Sequence, residues 1–147
     1  MRLLDEPEVI SWRALLEAFR VIYRQLENAL LMEECSIPRF QILFHLYFDG
    51  PLAASVIAKR LFVTRGNMSM FVKRLLADKL IEPAYEGRSK GRPAFRLTSR
   101  GAVLFEEIFP RHIKRVRRLM LPLNQDLVAE LRRVLAHALE QDKRSER

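Results

Sequence analysis

The sequence predicts a mainly α-helical fold with one small β-hairpin, and three observations support this prediction. Apolar residues recur every three to four positions over long segments, which is the period of an amphipathic helix. The chain has only 5 glycines among its 147 residues, and 30% of its residues are charged, a composition that favours helix. An extended pattern replaces the helical one at a single place, residues 80–97. The length predicts one domain, residues 1–147.

The first predicted helix spans about residues 8–33, because neither proline nor glycine interrupts its apolar stripe. Trp12, Leu16 and Tyr23 extend the apolar surface beyond a single stripe. A helix with so broad an apolar surface needs more cover than one small neighbour provides. This helix therefore predicts a subunit interface.

Three further helices are predicted in close succession. Ser36 is a candidate N-cap of a helix that ends before Gly50. A short helix then spans about residues 53–61. Thr64 is a candidate N-cap of the third helix, at residues 65–78.

This third helix is amphipathic in a way that suits DNA recognition. Its apolar face carries Met68, Leu75 and either Phe71 or Val72, and its other face is polar. An α-helix fits the major groove, where base edges can be read by hydrogen bonds and by contacts to thymine methyl groups. The predicted DNA-binding residues are Thr64, Arg65, Asn67, Ser69, Met70, Lys73 and Arg74, with Arg65, Ser69, Met70 and Lys73 on base edges.

A β-hairpin follows, with strands at residues 80–85 and 94–97. Pro83 restricts the first strand to the edge of a sheet. The tip at residues 86–93 contains two glycines and three cations. Cations at such a tip can contact phosphates or enter a narrow minor groove. We expect this role for Arg88, Lys90 and Arg92, and for Arg39 of an earlier helix.

Two helices are predicted after the hairpin, at residues 99–120 and 124–141. Pro110 lies inside the first of them, which it should kink or split. The second has an apolar face, and the charged residues after it, 142–147, are expected to fray.

Positive charge is concentrated in the middle of the chain. Residues 51–100 hold 11 Lys and Arg against 3 Asp and Glu, and the resulting net charge of +8 equals that of the whole chain. A concentrated basic segment is typical of polyanion-binding modules. Together with the order of helix, short helix, turn, helix and basic hairpin, it predicts a winged helix-turn-helix lobe at residues 36–101. Two alternatives stay open: a winged helix used for protein–protein contact, and a nucleoid-type protein with little sequence preference.

The same residues carry a resemblance to the MarR family of winged-helix transcriptional regulators. The brace helix matches at Leu52, Ala58 and Leu61, and the turn at Val63-Thr64. The remaining matches are Asn67-Met68-Ser69, Val72, Arg74, Leu75, Asp78-Lys79-Leu80-Ile81, Leu97-Thr98 and Gly101. The wing departs from the family pattern, because Ser89-Lys90-Gly91-Arg92-Pro93 lacks the usual Asp-x-Arg element and is similar to the wing of related regulators.

The resemblance implies a cytoplasmic homodimer that binds double-stranded DNA, most simply as a repressor on a pseudo-palindromic operator. It also implies that the terminal helices, residues 8–35 and 102–141, form the dimerisation region. The expected interface residues are Ile10, Trp12, Leu15, Phe19, Leu127, Leu131, Val134 and Leu135. Family members often bind small aromatic ligands in a cleft beside the DNA-binding lobe, and the aromatic residues of the first two helices fit either such a cleft or plain core packing.

Other functional classes find no support in the sequence. Cys35 is the only cysteine, so no intrachain disulfide is expected, and its thiol is either a buried inert group or an oxidant sensor. The three histidines are dispersed, which predicts no metal site. No phosphate-binding glycine loop and no nucleophile motif is present, so we expect neither a cofactor nor an enzymatic activity. No apolar stretch is long enough for a membrane span.

Overall fold

The computed structural model describes residues 2–84 and 94–146. The chain forms two compact units, one up to Arg115 and one from Val116 onwards. The predicted wing tip at residues 86–93 lies outside the described residues, and with it the predicted contacts of Arg88, Lys90 and Arg92.

The predicted mainly helical fold with a small β-wing is confirmed. A short 3-10 turn at Arg2–Asp5 comes first, and the elements that follow have these bounds: α1 Pro7–Leu31, α2 Ile37–Asp49, β1 Leu52–Ala53, α3 Ala54–Leu61, α4 Arg65–Ala77, β2 Ile81–Pro83, β3 Ala94–Leu97, α5 Ser99–Met120 and α6 Asp126–Ser145.

Both predicted N-caps are confirmed. The Ser36 hydroxyl accepts a hydrogen bond from the Arg39 N–H at 3.3 Å at the start of α2. The Thr64 hydroxyl accepts one from the Asn67 N–H at 3.2 Å at the start of α4. Each cap satisfies one of the free N–H groups of a first helical turn and so defines where the helix begins.

The wing belongs to a three-stranded antiparallel sheet with the strand order β1-β3-β2. Strand β2 lies at the edge, as Pro83 requires. Leu52 and Ala53 pair with the other side of β3. The sequence did not predict β1, because two residues are too few to show the alternating pattern of a strand.

Two expectations about the last helices need correction. Of the two effects expected of Pro110, the split is wrong, because helix α5 runs from Ser99 to Met120; the kink stays a prediction. The proline removes the backbone hydrogen bond to the carbonyl of Glu106, and both residues are exposed, so water can satisfy that carbonyl. Helix α6 continues to Ser145 rather than ending near residue 141. Lys143 and Arg144 in its last turn interact favourably with the negative end of the helix dipole.

The core of the first unit packs α3, α4 and α5 around α2. Phe105 of α5 lies against Phe40 of α2, with ring centroids 5.6 Å apart. Helix α4 contributes Met68, Val72 and Leu75 to this core. The buried residues of the core are Leu30, Cys35, Ile37, Phe40, Ile42, Leu43, Leu46, Ile57, Ala58, Met68, Val72, Leu75, Leu80, Ile81, Phe95, Phe105 and Ile108.

Candidate nucleic-acid interface

Helix α4 has one buried face and one exposed face. Met68, Val72 and Leu75, at the spacing of successive turns, are at most 7% exposed. The sequence allowed either Phe71 or Val72 at the core position of this face. Phe71 is half-buried, so Val72 occupies that position. The predicted polar residues all lie on exposed surface: Thr64, Arg65, Asn67, Ser69, Met70, Lys73 and Arg74.

The exposed face is positively charged. Arg65, Lys73 and Arg74 form no ion pair with any described residue. No acidic residue lies between Arg65 and Ala77. The N-terminal end of the helix adds the positive end of its dipole to these charges. The face therefore attracts polyanions, and its serine, asparagine and methionine side chains add groups that can contact base edges.

The C-terminal end of α4 is tied to other elements. The guanidinium of Arg39, in α2, pairs with the carboxylate of Asp78 at an N–O distance of 2.6 Å. The hydroxyl of Thr98 donates a hydrogen bond to the carbonyl oxygen of Lys79 at 2.7 Å. The Leu80 carbonyl oxygen accepts a hydrogen bond from the Thr98 N–H at 3.1 Å. This end of the helix is therefore fixed from two directions.

Arg39 is placed differently from the other predicted DNA-binding residues. Its side chain is 22% exposed and already paired with Asp78. Sequence reasoning missed this pair because its members are 39 positions apart, and neither residue type carries a signal for its partner. Its predicted phosphate contact stays a prediction.

The described part of the wing carries one cross-strand ion pair. Arg96 of β3 and Glu82 of β2 face each other in register. The Nε atom of Arg96 donates to a carboxylate oxygen of Glu82 at 2.9 Å, and both side chains are 46% exposed. Such an exposed pair supports the strand register and contributes at most about 1 kcal/mol to stability.

Each compact unit also exposes a helix face rich in large apolar side chains. In the first unit, α1 carries four of the residues predicted for dimerisation, which are 41% to 59% exposed: Ile10, Trp12, Leu15 and Phe19. In the second unit, α6 carries three that are 38% to 58% exposed, Leu131, Val134 and Leu135, and Leu127, which is half-buried. Apolar patches of this kind mark interaction surfaces.

A cleft of about 310 Å³ lies in the first unit between the second half of α1, helix α2 and helix α5. The ring of His112 lies 4.3 Å from the ring of Phe40. Burial lowers the pKa of His112, as does the charge of Arg115, while Glu33 opposes both. The ring is therefore mostly neutral near pH 7. The full lining is Tyr23, Leu26, Leu30, Ile37, Phe40, Gln41, Phe44, His45 and His112.

Cys35 is buried, with 1% of its surface exposed. Burial raises the pKa of its thiol to about 11, although the charge of Arg39 acts in the opposite direction. Oxidants react with the thiolate, and that form is scarce at neutral pH with such a pKa. The structure thus favours the inert interpretation over the oxidant sensor.

Neither a metal cluster nor a membrane span occurs in the described residues. They contain no group of three or more His, Cys, Asp or Glu placed to hold a metal ion. None of their helices is long and apolar enough to cross a membrane.

Comparison with known proteins identifies the class first: a winged-helix protein. AbsC, a MarR family transcriptional regulator from Streptomyces coelicolor, matches with a TM-score of 0.83 and 23% identity, over 97% of this chain and 99% of that one. A MarR variant from E. coli complexed with operator DNA matches with a TM-score of 0.73 and 21% identity, over 93% and 98%. NadR in complex with 4-hydroxyphenylacetate matches with a TM-score of 0.71 and 21% identity, over 85% and 89%.

The sequence itself gives a second, independent match. The MarR family model matches residues 36–90, the segment that holds α2, α3, α4 and β2. No curated protein sequence matches the chain. The predicted resemblance is confirmed: this segment matches the MarR family model, and the chain has the fold of MarR-family transcriptional regulators.

Proposed function

We propose that this protein is a transcriptional regulator that binds a specific site on double-stranded DNA as a homodimer, with no catalytic activity. The observation that carries the proposal is the exposed face of α4, which is basic, free of acidic residues and opposite a fully buried face. A helix held in this way can enter the major groove with its N-terminal residues on the bases.

The chemistry of each side chain suggests its partner. Arg65 and Lys73 can donate hydrogen bonds to guanine, and Met70 can contact a thymine methyl group. Ser69 can donate to or accept from several base edges. We assign the flanking contacts to Thr64, Asn67 and Arg74, and the phosphate or minor-groove contacts to Arg88, Lys90 and Arg92.

A homodimer accounts for the apolar faces of α1 and α6. Covering Trp12 and Phe19 with a second copy removes large aromatic surface from water, which is the main source of binding energy in such interfaces. A two-fold dimer would present two α4 helices to successive major grooves, about 34 Å apart. Such a dimer needs a pseudo-palindromic operator, and its occupation of a promoter would most simply repress transcription.

The first test is selection of bound sequences from random duplex DNA by the purified protein at moderate salt. The expected result is an inverted repeat with half-sites about 10 base pairs apart. Recovery of DNA without enrichment would support a nucleoid-type protein. If no DNA is recovered, the result would favour the protein-contact module.

Point variants test the reading face itself. Arg65→Ala and Lys73→Ala are each expected to lower affinity for the selected duplex about tenfold or more, the size expected for loss of a base contact. Lys143→Ala is the matched control, since it removes one exposed cation near the end of α6. Normal binding by both α4 variants would show that the reading face is misassigned.

We also propose that a small aromatic molecule binds the cleft lined by Phe40 and His112. Aromatic rings can stack on a planar ligand, several line this cleft, and most of the lining is apolar. The probe is 4-hydroxyphenylacetate, chosen from the ligand of the similar NadR structure. Calorimetric binding that is lost in His112→Ala, a half-buried residue of the lining, and that releases the protein from its duplex is the expected result. The absence of binding at millimolar concentration would mean that this molecule is not a ligand.

A further inference from the structure

We propose that Arg39 is a positioning residue for DNA reading, acting through its ion pair with Asp78, rather than a phosphate contact. The inference rests on the proposed function and adds to it a residue that sets the orientation of α4. It starts from the one place where a charged side chain of α2 reaches the end of α4, at an N–O distance of 2.6 Å.

The position of Asp78 at the end of α4 allows the pair to influence the orientation of the whole helix. Asp78 is the C-cap residue of α4, and its N–H bonds to the carbonyl of Arg74 in the last turn. Because Asp78 is bonded to the last turn, a displacement of Asp78 moves α4 as one rigid body. The exposed residues expected to read bases begin at Arg65, at the other end.

Simple geometry converts a small tilt into a large loss of contact. Helix α4 has 13 residues and so is about 20 Å long. A tilt of about 5° around its C-terminal end moves its N-terminal end by about 1.7 Å over this length. Hydrogen bonds to bases tolerate only a few tenths of an ångström, so a modest release at Asp78 is enough to disturb base reading.

The surroundings of Arg39 favour the pair over a contact with DNA. Its side chain is only 22% exposed, and its Nε atom is buried with no hydrogen-bond partner among the described residues. Turning the guanidinium toward a phosphate would leave Asp78 unpaired beside a DNA backbone of the same charge, which is unfavourable. The positive charge of Arg39 also lies next to the negative end of the α4 dipole, which stabilises it in place.

The two roles predict opposite effects for Asp78→Ala. If Asp78 were only a negative charge near DNA, its removal would tighten binding to every sequence. If it positions α4, its removal weakens binding to the selected duplex about fivefold, a coupling typical of residues in direct contact, and does not weaken binding to a random duplex. Arg39→Ala should have the same effect, with an unchanged salt dependence.

The experiment measures affinity for the selected duplex and for a random duplex of equal length at several salt concentrations. Glu82→Ala is the matched control, because it also removes a carboxylate paired with an arginine, but in the wing; it should not weaken specific binding. The charge-exchanged double variant Arg39→Asp with Asp78→Arg should recover part of the lost affinity. Circular dichroism checks that each variant is folded at the measuring temperature.

The other possible results of these binding measurements each contradict one identifiable part of the proposals. Equal or tighter specific binding by Asp78→Ala, while Arg65→Ala fails to bind, would end the positioning role and leave the proposed function intact. Weaker binding of Arg39→Ala to both duplexes, with a salt slope reduced by about 1, would identify a phosphate contact. If no duplex is enriched in the selection, the proposed function and this inference fall together.

Discussion

The two ends of helix α4 differ in how they are held. At the N-terminal end, the side chain of Thr64 caps the helix from within its own segment, and the surface around it is exposed. At the C-terminal end, Asp78 pairs with α2, and the hydroxyl of Thr98 holds the carbonyl of Lys79. A helix that is fixed at one end leaves its other end free to contact a ligand without losing its orientation.

The contrast extends to the glycines near each end. Gly101, in the first turn of α5, approaches the segment between α4 and β2 so closely that a Cβ atom there would lie 2.0 Å from the carbonyl oxygen of Leu80. A Cβ atom added at Gly66, in the first turn of α4, would meet no atom within 4 Å outside its own stretch of helix. The backbone is tightly packed at one end of α4 and open at the other.

Replacement of Gly101 is expected to have the largest effect on stability. In Gly101→Ala, the methyl group meets the backbone of Leu80, which cannot move without disturbing its hydrogen bonds with Thr98 and Leu75. We expect a loss of at least about 3 kcal/mol in the free energy of unfolding, as in severe overpacking. Urea denaturation followed by circular dichroism measures this loss. A loss below about 1 kcal/mol would mean that this contact is not tight.

The two threonine caps should differ in how much they stabilise the protein, with the larger contribution from Thr98 at the fixed end of α4. Thr98 makes two side-chain hydrogen bonds, to the Lys79 carbonyl at 2.7 Å and from the Gly101 N–H at 3.0 Å. Thr64 makes one. We expect Thr98→Val to cost about 2 kcal/mol and Thr64→Val about 1 kcal/mol. Thermal denaturation of the two variants under the same conditions compares them, and an equal cost would argue that the two ends are held equally.

Gly66→Ala is expected to stabilise the protein. Alanine has a higher helix propensity than glycine, and its methyl group enters open space here. The gain should be about 0.5 kcal/mol, less than in a helix interior because Gly66 lies in the first turn. The midpoint of urea denaturation should rise accordingly. Destabilisation would reveal a contact at this end of α4 that the open surface does not suggest.

The sequence predicts the free end of α4 well and the fixed end poorly. Local patterns encode the Thr64 cap and the helical spacing of Met68, Val72 and Leu75, because each depends on residues three or four positions apart. The pair of Arg39 and Asp78 depends on a tertiary approach of α2 to α4, for which no local pattern exists. Strand β1 was missed for a related reason, since its two residues are extended only because β3 lies beside them.

Effects as small as that of Gly66→Ala are expected at two residues in the left-handed region, one on each side of α4. Phe62 has φ +54° and Lys79 has φ +57°. Each follows the C-terminal end of a helix, and the next N–H bonds back to a carbonyl five residues earlier, Val63 to Ala58 and Leu80 to Leu75. Glycine is preferred at this position because a Cβ atom is strained there.

We therefore expect Phe62→Gly and Lys79→Gly each to raise the free energy of unfolding by about 0.5 kcal/mol, since relief of strain exceeds the greater entropy of glycine in the unfolded chain. The strain is local to the backbone, so the two gains should be equal although one residue lies at the free end and the other at the fixed end. Parallel urea denaturation of both variants measures them. A gain at Phe62 combined with a loss at Lys79 would mean that the Lys79 side chain itself helps to hold the fixed end of α4.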